Sequence, residues 1–121
     1  MDCIFCKIIN GEIPSYKLYE DDMVLAFLDL NQDKIGHTLV IPKKHYNDIY
    51  DVDSVTFTHM FDVAKKLAEK INSVFNTQGV SFTLNYGDLQ EVKHFHLHIC
   101  PYYNVNQQPL DIKEIYNKLN I

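Results

Sequence analysis

Residues 94–100 alternate between polar and large apolar side chains, and this run constrains the fold more than any other feature of the 121-residue sequence. Successive side chains of a β-strand point to opposite faces of a sheet, so the alternation predicts a strand. His94, His96 and His98 then share one face, and the apolar residues between them share the other. We expect the apolar face to pack under a helix and the three imidazoles to point outward.

The rest of the chain predicts one long helix and several short elements around that strand. Apolar residues at three-and-four spacing predict a helix over Ser54–Phe75, which Asp53 or Ser54 can cap. Apolar runs between turn residues predict a short helix or turn at Cys3–Ile9, strands at Tyr16–Tyr19, Val24–Leu28, Thr38–Ile41, Val80–Asn85 and Val92–Cys100, a loop at Tyr86–Gln90, and a helix from Asp111 to Leu119. We therefore expect a single α+β domain over residues 1–121, with an antiparallel sheet of about five strands covered on one face.

Composition excludes several classes of function. The chain carries 11 basic and 16 acidic residues and shows no basic stripe, so we expect no nucleic-acid partner. No apolar run approaches the ~20 residues that cross a bilayer, so we expect no membrane partner. Three cysteines are an odd number, and the first seven residues lack a basic-then-apolar leader. These features favour a reducing, cytoplasmic location without a disulfide framework.

The spacing of the three histidines limits the chemistry that they can share. On a straight strand the Cα atoms of His94 and His98 lie about 13 Å apart, which is too far for all three rings to bind one ion. A row of imidazoles instead suits phosphoryl or nucleotidyl transfer, because a neutral imidazole with a pKa of about 6.5 is a good nucleophile near neutral pH. The alternative interpretation is a cluster of surface histidines or an incidental metal chelator.

Five segments in chain order form a larger pattern. They are residues 3–14 (CIFCKIINGEIP), 27–30 (FLDL), 36–45 (GHTLVIPKKH), 85–92 (NYGDLQEV) and the alternating run that begins at residue 94. Together they resemble the Hint-like branch of the histidine triad (HIT) superfamily, and in particular its zinc-bearing bacterial-type members. The likeness covers residues 3 to about 101 and leaves the tail at 102–121 without a counterpart.

The resemblance implies a HIT-like fold and an enzyme that binds a purine nucleotide or an adenylated small molecule and hydrolyses it at the α-phosphorus. It makes His96 the nucleophile that becomes adenylylated, His98 the residue that binds phosphate oxygens and assists the leaving group, and His94 the residue that orients the middle ring. Asp29 is expected to accept hydrogen bonds from the ribose hydroxyls. Asn85 and Gln90 match positions beside the phosphate or ribose, and Phe5, Ile8, Ile13, Phe27 and Leu30 match positions around the base.

Cys3 and Cys6 form a Cys-x-x-Cys pair, which is half of a metal site or a redox pair. A structural zinc ion needs two more ligands to complete its tetrahedron. The resemblance to zinc-bearing HIT proteins implies that these are His45 and His94, with no organic cofactor. The alternative is two reduced thiols packed beside Phe5.

Two departures from the Hint pattern leave the activity open. The stretch between Asn85 and Gln90 is two residues shorter than the common form, and Glu91 stands where Hint-type proteins usually carry a phosphate-binding serine. The first expectation is a phosphoramidase-like hydrolase of AMP-linked amines or aminoacyl adenylates. The alternatives are a dinucleoside polyphosphate hydrolase, a regulatory nucleotide-binding protein with little turnover, and a hydrolase that uses the histidines as metal ligands. The resemblance also implies a homodimer, and it leaves His37 open between a residue that supports the triad and a buried structural histidine.

Overall fold

A computed structural model describes residues 3–120, and one five-stranded antiparallel sheet organises them. The strand order is β1-β2-β3-β5-β4, so β5 lies inside the sheet and β4 forms one edge. The elements are α1 (Ile4–Ile9), β1 (Lys17–Glu20), β2 (Val24–Leu28), β3 (Thr38–Pro42), α2 (Ser54–Phe75), β4 (Gly79–Leu84), a 3-10 turn (Gly87–Leu89), β5 (Leu97–Tyr102) and α3 (Ile112–Leu119). The predicted α+β architecture, with five strands, one long helix and short terminal helices, is confirmed.

The two faces of the sheet carry different cores. The face under α2 buries the even-numbered residues of β2 and the apolar residues of the alternating run. The opposite face buries the odd-numbered residues of β2 and β3 under α1. The members of this second core are Cys3, Phe5, Ile8, Leu25, Phe27, Leu39 and Ile41. Both faces are therefore covered, and the expectation of a sheet covered on one face is wrong.

The alternating run is only partly a strand. β5 begins at Leu97 rather than at Val92, because the chain before it leaves the ladder and Phe95 donates its N–H to the Tyr46 carbonyl at 2.7 Å. The alternation persists through this irregular stretch, since Phe95 packs in the core under α2 with Leu97. His94 and His96 are only 0% and 6% exposed, so the prediction that all three rings point outward is wrong. The cause is α1, which covers this face.

Local signals account for the position of α2. Asp53 caps its first turn by accepting a hydrogen bond from the Thr56 N–H at 2.8 Å. The helix ends at Phe75, and the next residue, Asn76, caps it in the left-handed conformation with φ of 54°. The turn that leads into β3 passes directly beneath it at Gly36, where a Cβ atom would lie 2.7 Å from a methyl group of Ile71. Only glycine fits there, and this close approach fixes the turn that carries His37.

In residues 3–120, no helix is both long and apolar enough to cross a membrane. The expected lack of a leader depends partly on Met1 and Asp2, which lie outside the described residues together with Ile121. The cytoplasmic location stays a prediction.

Candidate functional site

An apolar cavity of about 230 Å³ lies between α1 and the sheet. Phe5 forms one wall, and its ring meets the rings of Phe27 and His96 edge-on, with centroids 5.8 and 5.1 Å apart. Polar groups lie at the mouth, where Asp29 and Glu91 face the cavity together with the two histidines His96 and His98. The other lining residues are Ile4, Ile8, Ile13, Pro14, Ser15, Leu28, Leu30, Leu39 and Val92. The cavity therefore joins an apolar interior to a polar rim.

A second cavity of about 230 Å³, which we call the polar cavity, shares that rim. Asp29, Glu91, His96 and His98 line both cavities. The polar cavity adds Asn31, His37 and Asn85. An elongated ligand could thus place an apolar ring in the first cavity and a polar or charged group in the second.

The hydrogen bonds of His96 define which of its nitrogens is available. Nδ1 lies 2.8 Å from the carbonyl oxygen of His94. A carbonyl only accepts, so Nδ1 carries the proton and donates it. Nε2 of the neutral ring is then unprotonated, and no hydrogen bond to it arises from residues 3–120. Burial lowers the pKa of His96 below its ordinary value, which keeps the ring neutral.

His98 is joined to the loop that carries Asp29. Its Nδ1 and the Nε2 of His37 are 3.0 Å apart and hydrogen bonded, and the two rings stack. The Nδ1 of His37 lies 3.9 Å from a carboxylate oxygen of Asp29. Burial, together with the neighbouring His96 and His37 rings, lowers the pKa of His98 to about 4. His37 therefore packs directly against His98, one of the three histidines of the alternating run.

The Cys/His cluster, made up of Cys3, Cys6, His45 and His94, lies beside these cavities. One ligand atom from each residue lies within 4.8 Å of the others. The Nδ1 of His94 is 3.3 Å from the Cys3 sulfur and 3.6 Å from the Cys6 sulfur. The Nδ1 of His45 is 3.4 Å from the Cys6 sulfur. The four side chains that the sequence predicts as metal ligands are therefore together.

In both histidines of the cluster, the Nε2 atom already forms a hydrogen bond. The Nε2 of His94 donates to the Pro42 carbonyl at 2.8 Å, and the Nε2 of His45 donates to the Asn47 side-chain oxygen at 3.0 Å. Each Nδ1 is thereby left free to bind a metal. Sulfur and nitrogen ligands that surround zinc tetrahedrally lie roughly 3.6 Å apart, which the sulfur-to-nitrogen distances here approach. The donor set and its geometry fit a closed structural zinc site.

Comparison with known proteins decides the family. A model of the HIT domain matches residues 10–105. The chain belongs to the HIT family. The predicted resemblance is confirmed, and with it the HIT-like fold.

Relatives of this HIT protein come from bacteria and from eukaryotes. A HIT-like protein from Borreliella burgdorferi is 48% identical over 104 residues, which cover 83% of this chain and 75% of the relative. Adenosine 5'-monophosphoramidase HNT1 from Saccharomyces cerevisiae is 42% identical over 101 residues, which cover 82% of this chain and 61% of that protein. The crystal structure of a zinc-bound histidine triad family protein from Mycobacterium smegmatis matches with a TM-score of 0.89 and 33% identity, covering 98% of this chain and 91% of that one.

Of the remaining predicted site residues of this HIT protein, two line the cavities and one does not. Asn85 lines the polar cavity. Leu30 lines the apolar cavity but is 85% exposed, so it lies at the mouth rather than inside. Gln90 is buried and donates its amide to the Asn47 carbonyl at 2.6 Å. It lines neither cavity, and its contact instead ties the loop before the histidines to the loop that carries His45.

Sequence reasoning missed Gln32, which holds the Asp29 loop in shape. Its amide nitrogen donates to the carbonyls of Asp29 and His37 at 2.7 and 2.8 Å, and its amide oxygen accepts from the Gly36 N–H at 2.8 Å. One side chain thus fixes the two loop ends that face His98. Neither a motif nor a periodic pattern marks this position in the sequence. Ser15 was missed as well, and its buried hydroxyl in the cavity wall has no partner among the described residues.

Proposed function

We propose that this HIT protein hydrolyses AMP-linked substrates at the α-phosphorus, through a nucleotide bound covalently to His96. The observation that carries the proposal is the free Nε2 of His96, a neutral and unligated nitrogen at the junction of an apolar and a polar cavity. The similarity to adenosine 5'-monophosphoramidase HNT1 supports the choice of an adenosine phosphoramidate as the first substrate to test.

The apolar cavity suits the purine, and the polar cavity suits the phosphate. Phe5, Ile8, Ile13 and Phe27 offer flat or branched apolar contacts to a base. In this proposal the carboxylate of Asp29, which lines the cavity, accepts hydrogen bonds from both ribose hydroxyls. This arrangement sets the α-phosphorus beside His96, which lines both cavities.

The reaction then proceeds in two displacements. The Nε2 of His96 forms a bond to phosphorus as the bond from phosphorus to the leaving nitrogen breaks. The anionic phosphate of the bound substrate favours the imidazolium form of His98, which gives one proton to the leaving nitrogen and becomes neutral as the amine departs. Water next attacks the phosphorus, gives its proton to His98, and releases AMP with His96 restored. The contact between His37 and His98 holds the His98 ring in position for both proton transfers.

Zinc belongs to the proposal as a structural ion held by the Cys/His cluster. When bound, it would cross-link α1 to the segment that carries the histidines. It would also hold His94, whose carbonyl oxygen accepts the Nδ1 proton of His96. His94 thus serves the nucleophile through its backbone while its ring serves the metal.

Trapping the intermediate tests the proposed function. Enzyme mixed with an adenosine phosphoramidate and quenched with base within milliseconds should carry one AMP, because phosphoramidate bonds to histidine are stable in base and labile in acid. Peptide mapping by mass spectrometry should place the adduct on His96. Enzyme quenched with AMP alone is the control and should be unmodified. Turnover with the adduct on another residue, or with none at any quench time, would rule out the His96 intermediate.

A homodimer is the second part of the proposal. β4 is an edge strand, and Ser81, Phe82 and Thr83 in its middle are exposed. An edge strand of one protomer can pair with that of another, and two-fold dimers are the most common oligomers. Sedimentation equilibrium at micromolar concentration should give twice the mass of the chain. Substituting proline for Ser81 should shift that mass toward the monomer, and a wild-type monomer would refute the assignment.

A further inference from the structure

We infer that Glu91 selects the leaving group, and that it favours amines that carry a second positive charge over neutral or anionic ones. This inference rests on the proposed function and names the substrate class for it. Glu91 lines the apolar cavity, the polar cavity, and a third cavity beside Cys3 and His45. Glu91 therefore stands where these three cavities meet, and it shares two of them with His96.

The Glu91 carboxylate is unpaired. Within residues 3–120, no group hydrogen bonds to it and no lysine forms an ion pair with it. The neighbouring Lys93 lines the third cavity together with Glu91, but its ammonium group donates to the Gly87 carbonyl at 2.7 Å and not to the carboxylate. Glu91 is exposed, and a carboxylate with no internal partner can form an ion pair with a cation that enters the cavity.

The surroundings of the proposed reaction centre lack fixed positive charge. The 11 basic residues of the chain are all lysines, and none of them lines the apolar or the polar cavity. Two carboxylates, those of Asp29 and Glu91, line both cavities.

The direction of departure brings the leaving group toward Glu91. Attack on phosphorus runs in line, so the leaving group departs on the side opposite the Nε2 of His96. The apolar cavity is filled by the nucleoside, which leaves the polar cavity and its opening as the exit. Because Glu91 lines that space, an ammonium group there is attracted to it. A polyphosphate leaving group would instead meet two carboxylates with no lysine to offset them.

Three AMP phosphoramidates of matched length test this inference. Their leaving amines are 1,4-diaminobutane, n-pentylamine and 4-aminobutanoate, which end in an ammonium, a methyl and a carboxylate group. For the native enzyme we expect kcat/KM to fall about fivefold at each step along this series, the upper end for ion pairs with an exposed carboxylate. In Glu91→Gln, which keeps the shape and removes the charge, both steps should shrink to about twofold.

Two controls make the result specific. Glu69→Gln removes an exposed carboxylate on α2 that lines none of the three cavities named above and should preserve the native ratios. Raising the salt concentration to 0.5 M should compress the native ratios but change those of Glu91→Gln little, since salt screens charge. Equal ratios in the native enzyme and Glu91→Gln would overturn the role of Glu91 and leave the proposed function intact. If the native enzyme cleaves none of the three amides faster than His96→Ala does, the proposed function and this inference both fail.

Discussion

The His96→Ala variant should lose at least about 10⁴-fold in kcat/KM for an adenosine phosphoramidate, because it removes the nucleophile on which both displacements depend. AMP affinity should change by no more than a few fold, since the apolar cavity and Asp29 remain. Steady-state kinetics and calorimetric titration with AMP measure the two quantities separately. A large loss in kcat with intact binding distinguishes a group that reacts from one that only binds.

Two further variants exclude a structural explanation for that loss. His96→Asn keeps a donor that can reach the His94 carbonyl and removes Nε2, so it should be as inactive as His96→Ala with a melting temperature closer to native. His59→Gln is the control at another histidine, because His59 contacts Asp21 at 2.6 Å and lines neither cavity. It should turn over substrate at the native rate. Retention of more than a tenth of native activity in His96→Asn would rule out His96 as nucleophile.

The elements predicted most accurately are those whose signals are local. The apolar stripe and the Asp53 cap define α2, and its observed bounds, Ser54–Phe75, match the prediction. The start of β5 could not be predicted in this way, because it depends on a contact between Phe95 and Tyr46, which are distant in sequence. The burial of His96 is also a tertiary effect. Alternation assigns the ring to a face, but only the packing of α1 on that face determines whether it is exposed.

In the candidate site, too, some features could be predicted from the sequence and others depend on tertiary contacts. The residue pattern predicted only the Cys3 and Cys6 pair, the resemblance to zinc-bearing HIT proteins added His45 and His94, and the structure brings all four together. The proton positions were not predictable from residue types. They follow from backbone carbonyls that happen to face the rings, such as those of His94 and Pro42. The role of Gln32 could not be predicted either, because it consists of three hydrogen bonds to backbone groups of a loop that form only in the folded chain.

Removal of zinc should lower the melting temperature by about 10 to 20 °C. A metal that binds only the folded chain at a thousand times its dissociation constant stabilises it by about 4 kcal/mol, and each kcal/mol corresponds to about 3 to 5 °C in a domain of this size. The cluster joins α1 to His45 and His94, so its loss should loosen the wall of the apolar cavity as well. We expect one zinc per chain by elemental analysis, and a lower melting temperature after treatment with a strong chelator.

The third cysteine provides a matched control for this prediction. Cys6→Ser should lose most of the bound zinc and melt as the chelated protein does, because a serine hydroxyl is a poor zinc ligand. Cys100→Ser changes the same chemical group in β5, outside the cluster, and should retain both zinc and its response to the chelator. If the chelator lowers activity while the melting temperature of the metal-free protein stays native, the ion acts in the reaction rather than in the fold. That outcome would contradict the structural assignment, because a closed site of four protein ligands has no position left for substrate or water.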